Sequence, residues 1–579
     1  MEDDPAHDDE RDLPDAEGDQ LDAKGDDLPE AEVPGQPDPG AGAAERRRIR
    51  AATIVFAAAT MLSRVAGLLR EIVTAAVFGA SSTYSAFVIA NQIPNLLRSL
   101  VADSALSATF VPAFAELDER GERERAWRVA SAVCGVLIAV IGPLSVLAMV
   151  AAPWIVTPFV DASFTQADID LTVGLARLLM PIVLVLALSG VVVGILNTHG
   201  RFGAAALAPV AWNAVILLSL AGAAWFAPDD QQIWIYAAGT VVGTIVQAVL
   251  PVPWLRGLGG HLRLRDTFGR TWRDPKVREV FVNMLPITLG LGLINVQLLV
   301  SALLAANIDA NVGPWFSGLE AGAGPTLLDK AFRVYMLPQG IFSVAVSTVV
   351  FPTLARMATR GDDRGFADTV DLGLRQILML LVPSSVFLGL FCVPVTRVLY
   401  ERAEWGADQT LAAAVVLAAF AVGLTFNGLT LLLIRALFSK RLTWLPTLVS
   451  VFTLVVNLGV ALGTYRTWGV LGVAAGTSIA NIVGVLLLYA LLRRHTAPLG
   501  TGRTIAVALG TLVAALVAVG LVAAGYHLLW EPFAGDGFAA TFAGVAAALA
   551  IAAPIYLALG VRLGAVRPGL LRDLRRRRT

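Results

Sequence analysis

Residues 62–98 read LSRVAGLLREIVTAAVFGASSTYSAFVIANQIPNLLR, and their polarity is out of place. Arg64, Arg70, Glu71 and Arg98 stand inside apolar stretches long enough to cross a bilayer as helices. A cation at mid-bilayer costs several kcal/mol unless a polar cavity or a partner relieves it. Charges held there mark a pathway or a binding site.

The rest of the chain supports a membrane setting. Mean hydropathy is +0.69, and only 15% of the 579 residues are charged, where a soluble protein would have about a quarter. The formal net charge of -1 hides an asymmetry: residues 1–40 hold 16 Asp/Glu against Arg11 and Lys24, so the remainder carries 42 Lys/Arg against 29 Asp/Glu. Residues 1–44, rich in Asp, Pro and Gly, lack the aliphatic content to fold and are expected to form a disordered acidic tail. They have neither the basic start nor the apolar core of a signal peptide. The run ERRRIR at 45–50 then abuts the first apolar segment as a cytoplasmic anchor. Cys134 and Cys392 both fall in apolar segments and read as small buried hydrophobes.

Fourteen segments are long enough to span, at about 51–79, 85–115, 127–158, 169–197, 204–227, 232–255, 280–306, 326–355, 366–399, 408–437, 444–464, 468–493, 503–529 and 537–562. Basic residues concentrate in alternate connections such as ELDERGERERAWR, RMATRGDDR and RRHTAPLGTGR. The intervening ones, such as GASSTY, APDDQQ and YERAEWGAD, carry just Arg402 and Arg466. The first set, with both termini, is therefore expected in the cytoplasm, which requires an even number of spans.

A repeat is visible at an offset of about 240 residues: FVPAFAELDERGERE from Phe110 against VFPTLARMATRGDDR from Val350, APWIVTPFV against CVPVTRVLY, and LNTHGRF against FSKRLTW. The expected fold is an all-α polytopic membrane protein with 14 transmembrane helices, in two six-helix lobes related as a parallel repeat, plus two C-terminal helices. The divisions are the acidic tail (1–44), first lobe (45–256), basic cytoplasmic linker (257–279), second lobe (280–494), the two added helices (495–562) and a basic cytoplasmic tail (563–579).

At a rise of about 1.5 Å per residue, Arg64 lies about 20 Å into the first segment and Arg70 near its outer end, with Arg98 at a similar middle depth in the second segment. Arg333 falls in the outer half of the eighth segment, five residues before Pro338. These four guanidiniums, from both lobes, are expected to converge on one anion-attracting cavity. Simpler readings accompany them: Glu71 on nearly the same face as Arg64 would neutralise it, Asp329 would pair with Arg333 at i,i+4, and Arg70 would snorkel to the outer rim. Pro94 with Asn95 in the second segment, and Pro338 in the eighth, are either tolerated kinks or hinges lining the cavity. Gly67 on the Arg64 face permits close approach of a helix or ligand.

No catalytic pattern accompanies this pathway. The five histidines are scattered, and no GxSxG, P-loop or HExxH occurs. Neither enzyme chemistry, nor a metal, nor a cofactor is expected. The basic residues 256–279 adjoin membrane spans and suit anionic lipid headgroups rather than nucleic acid.

With these residues placed, the chain resembles the MurJ/MviN family of lipid II flippases, in the multidrug/oligosaccharidyl-lipid/polysaccharide exporter superfamily. The resemblance rests on TMLSRVAGLLREIVTAAVFGAS, SAFVIANQIPNLLRSLVADSALSATFVPAFAE, GILNTHGRFGAAALAPVAWN and FRVYMLPQGIFSVAVSTVVFPTLAR, and it covers residues 50–495. It implies two lobes in an inverted V around a cationic cavity, and a groove made with the last two helices for a polyprenyl tail. It also implies that Arg64, Arg70, Arg98 and Arg333 match the family's essential arginines. The chain departs from the family at Tyr84, Ser85, Ala86 and Phe87, where a TDAF-like pattern is common, and at Phe332 and Ser301, where acidic residues occur; no ion site is assigned.

The implied function is translocation of lipid II, a polyprenyl-diphosphate-linked peptidoglycan precursor, from the inner to the outer leaflet of the bacterial cytoplasmic membrane by alternating access. Its implied partners are lipid II, membrane lipids and, through the acidic tail, cell-wall machinery. The alternatives are export of another polyprenyl-linked glycan or of a drug, and a non-transporting envelope scaffold. Drug export by cation exchange would favour buried carboxylates over buried arginines.

Overall fold

Helix ends follow the punctuation of the sequence. The computed structural model describes residues 39–101, 104–157, 164–268, 270–306, 315–316, 318–442, 444–535 and 537–566. Its first helix, α1 (Pro39–Phe78), stops at Gly79, whose φ of +59° a side chain would strain. There follow α2 (Ser82–Val101), α3 (Ser104–Glu119), α4 (Arg123–Val156), α5 (Gln166–Leu179), α6 (Pro181–Thr198), α7 (Phe202–Phe226) and α8 (Asp229–Val249). After a short helix α9 (Leu264–Thr267) come α10 (Pro275–Ala306), α11 (Gly324–Arg360), α12 (Asp363–Leu390), α13 (Cys392–Tyr400), α14 (Ala407–Ser439), α15 (Trp444–Trp468) and α16 (Val470–Arg494). The chain closes with α17 (Thr501–Gly525), a π-helical turn over Tyr526–Trp530, α18 (Glu531–Ala534) and α19 (Phe538–Arg562).

Local chemistry accounts for several boundaries. Thr165 and Asp168 form a reciprocal capping box at the start of α5. Pro181 opens α6, so the single expected segment 169–197 is two helices in series. Pro94, by contrast, does not interrupt α2, and neither Pro338 nor Pro352 interrupts α11. Each removes one backbone donor, a loss that packed neighbours and local adjustment can absorb within a long membrane helix.

Eleven helices among the described residues are long and apolar enough to cross a membrane, and none of those residues forms a β-strand. The protein is an all-helical, multi-pass membrane protein. The eleven do not include α1, α2, α3 or α10. Residues 1–38 of the expected acidic tail and 567–579 of the basic tail lie outside the described residues.

By contact, residues 1–54 and 55–579 are two units; the second holds everything that builds the site. Its largest core joins α11, α12, α14, α15 and α16 through residues such as Tyr335, Leu381, Leu424, Leu433 and Val473. Two further cores gather the first half, around Phe110, Phe114 and Leu137 and around Phe87, Ile89 and Leu179. A fourth seats α17 and α19 on Phe391. Helix α10 belongs to more than one core: Val277, Val280, Met284 and Leu303 pack with the first half, while Ala305 joins the core of the second.

Candidate functional site

Glu71, near the end of α1, is buried and takes cations from two directions. Its own neighbour Arg70 donates from Nη2 to Oε1 at 2.7 Å. From α11, Lys330 donates from Nζ to Oε2 at 2.9 Å and to the Glu71 carbonyl at 3.1 Å. Arg333, one turn further along α11, brings its Nε to 3.8 Å from Oε1. Arg333 also pairs with Asp329 at 3.2 Å.

Lys330 is fully buried. Besides Glu71 it donates to Thr74 Oγ1 (2.5 Å) and to the Tyr84 hydroxyl (3.2 Å). The Tyr84 ring centroid lies 4.6 Å from Nζ and that of Tyr400 5.8 Å away. The ammonium therefore has a carboxylate, oxygen acceptors and aromatic faces around it, the conditions under which a buried charge is tolerated. Arg70 is held from its other side by the Asn213 side-chain oxygen at 3.3 Å and stacks 4.7 Å from the Trp212 ring.

In front of this cluster lies a cavity of about 540 Å³ lined by Arg70, Glu71, Arg98, Asp329 and Arg333, with Trp212 and Tyr236 among its aromatic walls. A second chamber of about 400 Å³ shares Gln92, Asn95, Arg98, Asp329 and Arg333 with it and continues along Asn295, Ser301, Asn427 and Asn481. The shared residues form a common wall, so the two chambers lie side by side. The Arg333 side chain keeps 41% exposure and that of Arg70 11%, so Arg333 is the more open to a ligand.

Beside the charge cluster, α1 and α2 are closed against the starts of α11 and α14. Ser85 and Thr326 share a hydroxyl hydrogen bond of 2.8 Å. The backbone N–H of Ser82 donates to Glu320 (3.2 Å) and that of Ala80 to Gln409 (2.8 Å), while the Glu404 N–H donates to the Ala76 carbonyl (3.2 Å). The chain at the start of α10 is clasped to α3 and α4. Lys276 pairs with Glu116 at 2.6 Å and Arg125 with Asp274 at 3.2 Å. The Lys276 hydrogen bond holds the Glu116 carboxyl below the usual range, and the bonds to Glu116 and Glu279 push the Lys276 ammonium up.

Of the residues singled out from sequence, Arg70, Arg98, Arg333 and Asn95 line the cavity. Pro94 is buried within α2 beside Asn95. Arg64 is exposed and lines neither chamber; its Nη2 donates to the Gly340 carbonyl of α11 at 3.3 Å. Gly67 faces Asn213, and Pro338 lies two residues before the carbonyl that Arg64 holds. Glu71 does not serve Arg64 as the helical spacing suggested, because Arg70, Lys330 and Arg333 take it. Lys330 escaped the sequence reading altogether; its signal was a lysine inside an apolar segment, directly after Asp329 and three residues before Arg333. Among the described residues no group of three or more His, Cys, Asp or Glu could hold a metal ion.

The chain has relatives among known proteins. The chain is 29% identical over 501 residues to "Probable lipid II flippase MurJ" of Vibrio cholerae serotype O1, covering 84% of this chain and 89% of that one. It is 28% identical over 403 residues to "Lipid II flippase MurJ" of Burkholderia cenocepacia, covering 69% and 75%. In fold it is similar to a solved lipid II flippase MurJ in an inward closed conformation, with a TM-score of 0.70 at 22% identity over 90% of this chain and 99% of that one. An inward-facing multidrug resistance MATE family transporter matches at a TM-score of 0.61 and 15% identity, over 76% and 97%. The family model described as lipid II flippase MurJ matches residues 74–542, a span that holds the whole wall of the cavity except Arg70 and Glu71, and the chain belongs to that family.

Proposed function

We propose that this chain carries the diphosphate-linked head of lipid II across the bacterial cytoplasmic membrane, from the inner to the outer leaflet, by alternating access. The observation that carries this reading is the convergence of Arg70 and Arg98 from one half with Arg333 from the other on one cavity. A diphosphate entering a low-dielectric barrier loses its hydration, and guanidiniums replace it with charge-assisted, often bidentate hydrogen bonds. The Arg333 side chain, 41% exposed, keeps donor capacity towards the cavity. Arg64, exposed where α1 meets α11, would meet the head as it enters.

The finer architecture in this reading is fourteen spans in two parallel six-helix lobes, with both termini in the cytoplasm. Packing supports it: α7 lies on α8 as α15 lies on α16, α6 on α8 as α14 on α16, and α3 on α4 as α11 on α12. The lobe limits remain those drawn from the repeat, 45–256 and 280–494, with 257–279 as linker. Rocking of the lobes around the arginines would expose the site to each side in turn, with Pro94 and Pro338 as bending points and Gly67 as a place of close approach. Moving one charge across the membrane is worth about 2.3 kcal/mol per 100 mV, so the membrane potential can assist.

Depletion of the protein with an outside-acting enzyme as probe tests this: accessible lipid II should fall while the total pool rises. An unchanged outer-leaflet fraction would overturn it. Export of another polyprenyl-diphosphate glycan uses the same charges, and lipid II competing poorly against such a glycan would favour it. In a scaffold that only recruits cell-wall machinery, substituting the cavity arginines would leave growth intact.

A further inference from the structure

We infer that Lys330 is a positioning residue, a resident counter-ion that occupies one oxygen of Glu71 so that Arg70 and Arg333 stay available to a doubly charged head group. The inference rests on the reading of the cavity as a diphosphate site. Lys330 is not part of the wall of either chamber, so no ligand there touches it. It acts on the arginines through Glu71.

The two carboxylate oxygens have separate partners. Oε2 receives Lys330 at 2.9 Å; Oε1 receives Arg70 at 2.7 Å and faces Arg333 at 3.8 Å. With Lys330 in place, only Oε1 competes with a ligand for the arginines. Without it, Oε2 would turn to the nearest guanidinium, and a carboxylate engaged by both oxygens on arginine is a strong, geometrically specific partner. Lys330 cannot easily leave: it is fully buried, Thr74, Tyr84 and the Glu71 carbonyl accept its hydrogen bonds, and Tyr400 closes over it.

The charge balance gives the same assignment. Among the described residues the cavity wall carries Arg70, Arg98 and Arg333 against Glu71 and Asp329, a net charge of +1. Lys330 raises it to +2, which matches the two negative charges of a diphosphate diester rather than the single charge of a monophosphate diester. Because Lys330 is on α11 and Glu71 on α1, the balance is complete when the two halves are closed at this point.

The test compares wild type, Lys330→Met, Lys330→Arg and the double variant Lys330→Met/Glu71→Gln in lipid nanodiscs, measuring affinity for lipid II and for a polyprenyl monophosphate diester of the same sugar. Lys330→Met should weaken lipid II binding about tenfold, the scale of one charge-assisted hydrogen bond, and narrow the preference for diphosphate. Lys330→Arg and the double variant, which keep or restore the net charge of +2, should return to within a few-fold of wild type. Wild-type affinity in Lys330→Met, or a double variant no better than Lys330→Met, would overturn the inference. If Lys330→Met is not monodisperse, Glu71→Gln against the double variant decides: with no carboxylate left for Lys330 to occupy, the two should bind lipid II within a few-fold of each other, and a double variant about tenfold weaker would overturn the inference. Loss of binding in Arg98→Gln with none in Lys330→Met refutes this role alone; no binding by wild type refutes the diphosphate reading itself.

Discussion

Arg64 of α1 donates from Nη2 to the carbonyl of Gly340 in α11, 3.3 Å away and 276 residues further along the chain. A Cβ on Gly340 would come within 2.8 Å of Arg64 Nη1, the far end of a flexible side chain. Gly340→Ala should therefore be absorbed by a guanidinium shift, with stability within about 1 kcal/mol of wild type. Arg64→Gln should keep the fold and head-group affinity but slow translocation, because Arg64 stands outside the cavity wall. Parallel measurements of thermal stability, lipid II affinity and flipping rate separate these outcomes; a loss of affinity equal to that of Arg98→Gln would place Arg64 inside the site instead.

The cavity arginines should behave differently. Arg98→Gln and Arg333→Gln each remove a charge-assisted donor from the shared wall of the two chambers. Each is expected to weaken lipid II binding about tenfold to a hundredfold, from about 1.5–3 kcal/mol for a hydrogen bond to a charged group. Titration in nanodiscs checks this. Arg333→Gln should show the larger loss, since its side chain is the more exposed to the cavity.

Gly79 fixes the closure between the halves. Its φ is +59°, and a Cβ there would sit 2.6 Å from the Glu404 carbonyl oxygen. Gly79→Ala combines a left-handed backbone penalty of about 1–2 kcal/mol with displacement of residue 404. It should loosen the contact of Ser85 with Thr326, so a cysteine placed at the buried Ser85 should react faster with a water-soluble thiol reagent than in the parent. Unchanged reactivity would show that the closure does not depend on this turn.

The clasp before α10 has a pH window with two edges. Glu116 has a lowered pKa, so its contribution is present above the unfolded carboxyl value, about 4.3, and is lost as pH falls through the folded one. Lys276 has a raised pKa, so its contribution is present below about 10.4 and is lost as pH rises through the folded value. Across the physiological range the clasp should hold. Lys276→Met should speed proteolysis within residues 257–279 at neutral pH, and the parent should approach that rate as pH falls through the lowered Glu116 value.

Much of this was legible in the residues because the bilayer makes charge conspicuous. Arg70, Arg98 and Arg333 stood out in apolar runs, and the spacing of Asp329 and Arg333 announced their pair. Glu71 misled because helical spacing speaks only for its own helix. Besides its neighbour Arg70, two residues of α11, invisible from α1, take it. Lys330 lay hidden behind Asp329 and Arg333, which draw attention by being accounted for. Pro94 and Pro338 suggested kinks or hinges, and α2 and α11 run on through them, since a proline forfeits one donor and a packed helix continues past it. That α10 serves several cores could not be read, since apolar residues on more than one face give no sign of which neighbour each face will take.

That sharing restricts how the molecule can move. Helix α10 packs on α2 and α3 along one side and on α15 along another. Near its end a Cβ on Gly324 would overlap the Ala305 carbonyl, so there the two backbones touch. Backbones in contact have no slack for sliding, but they can turn against each other. If the halves part, α10 must shear along one of its seams and pivot about Ala305 and Gly324, which makes the smallest side chains in the interface the axle of the machine.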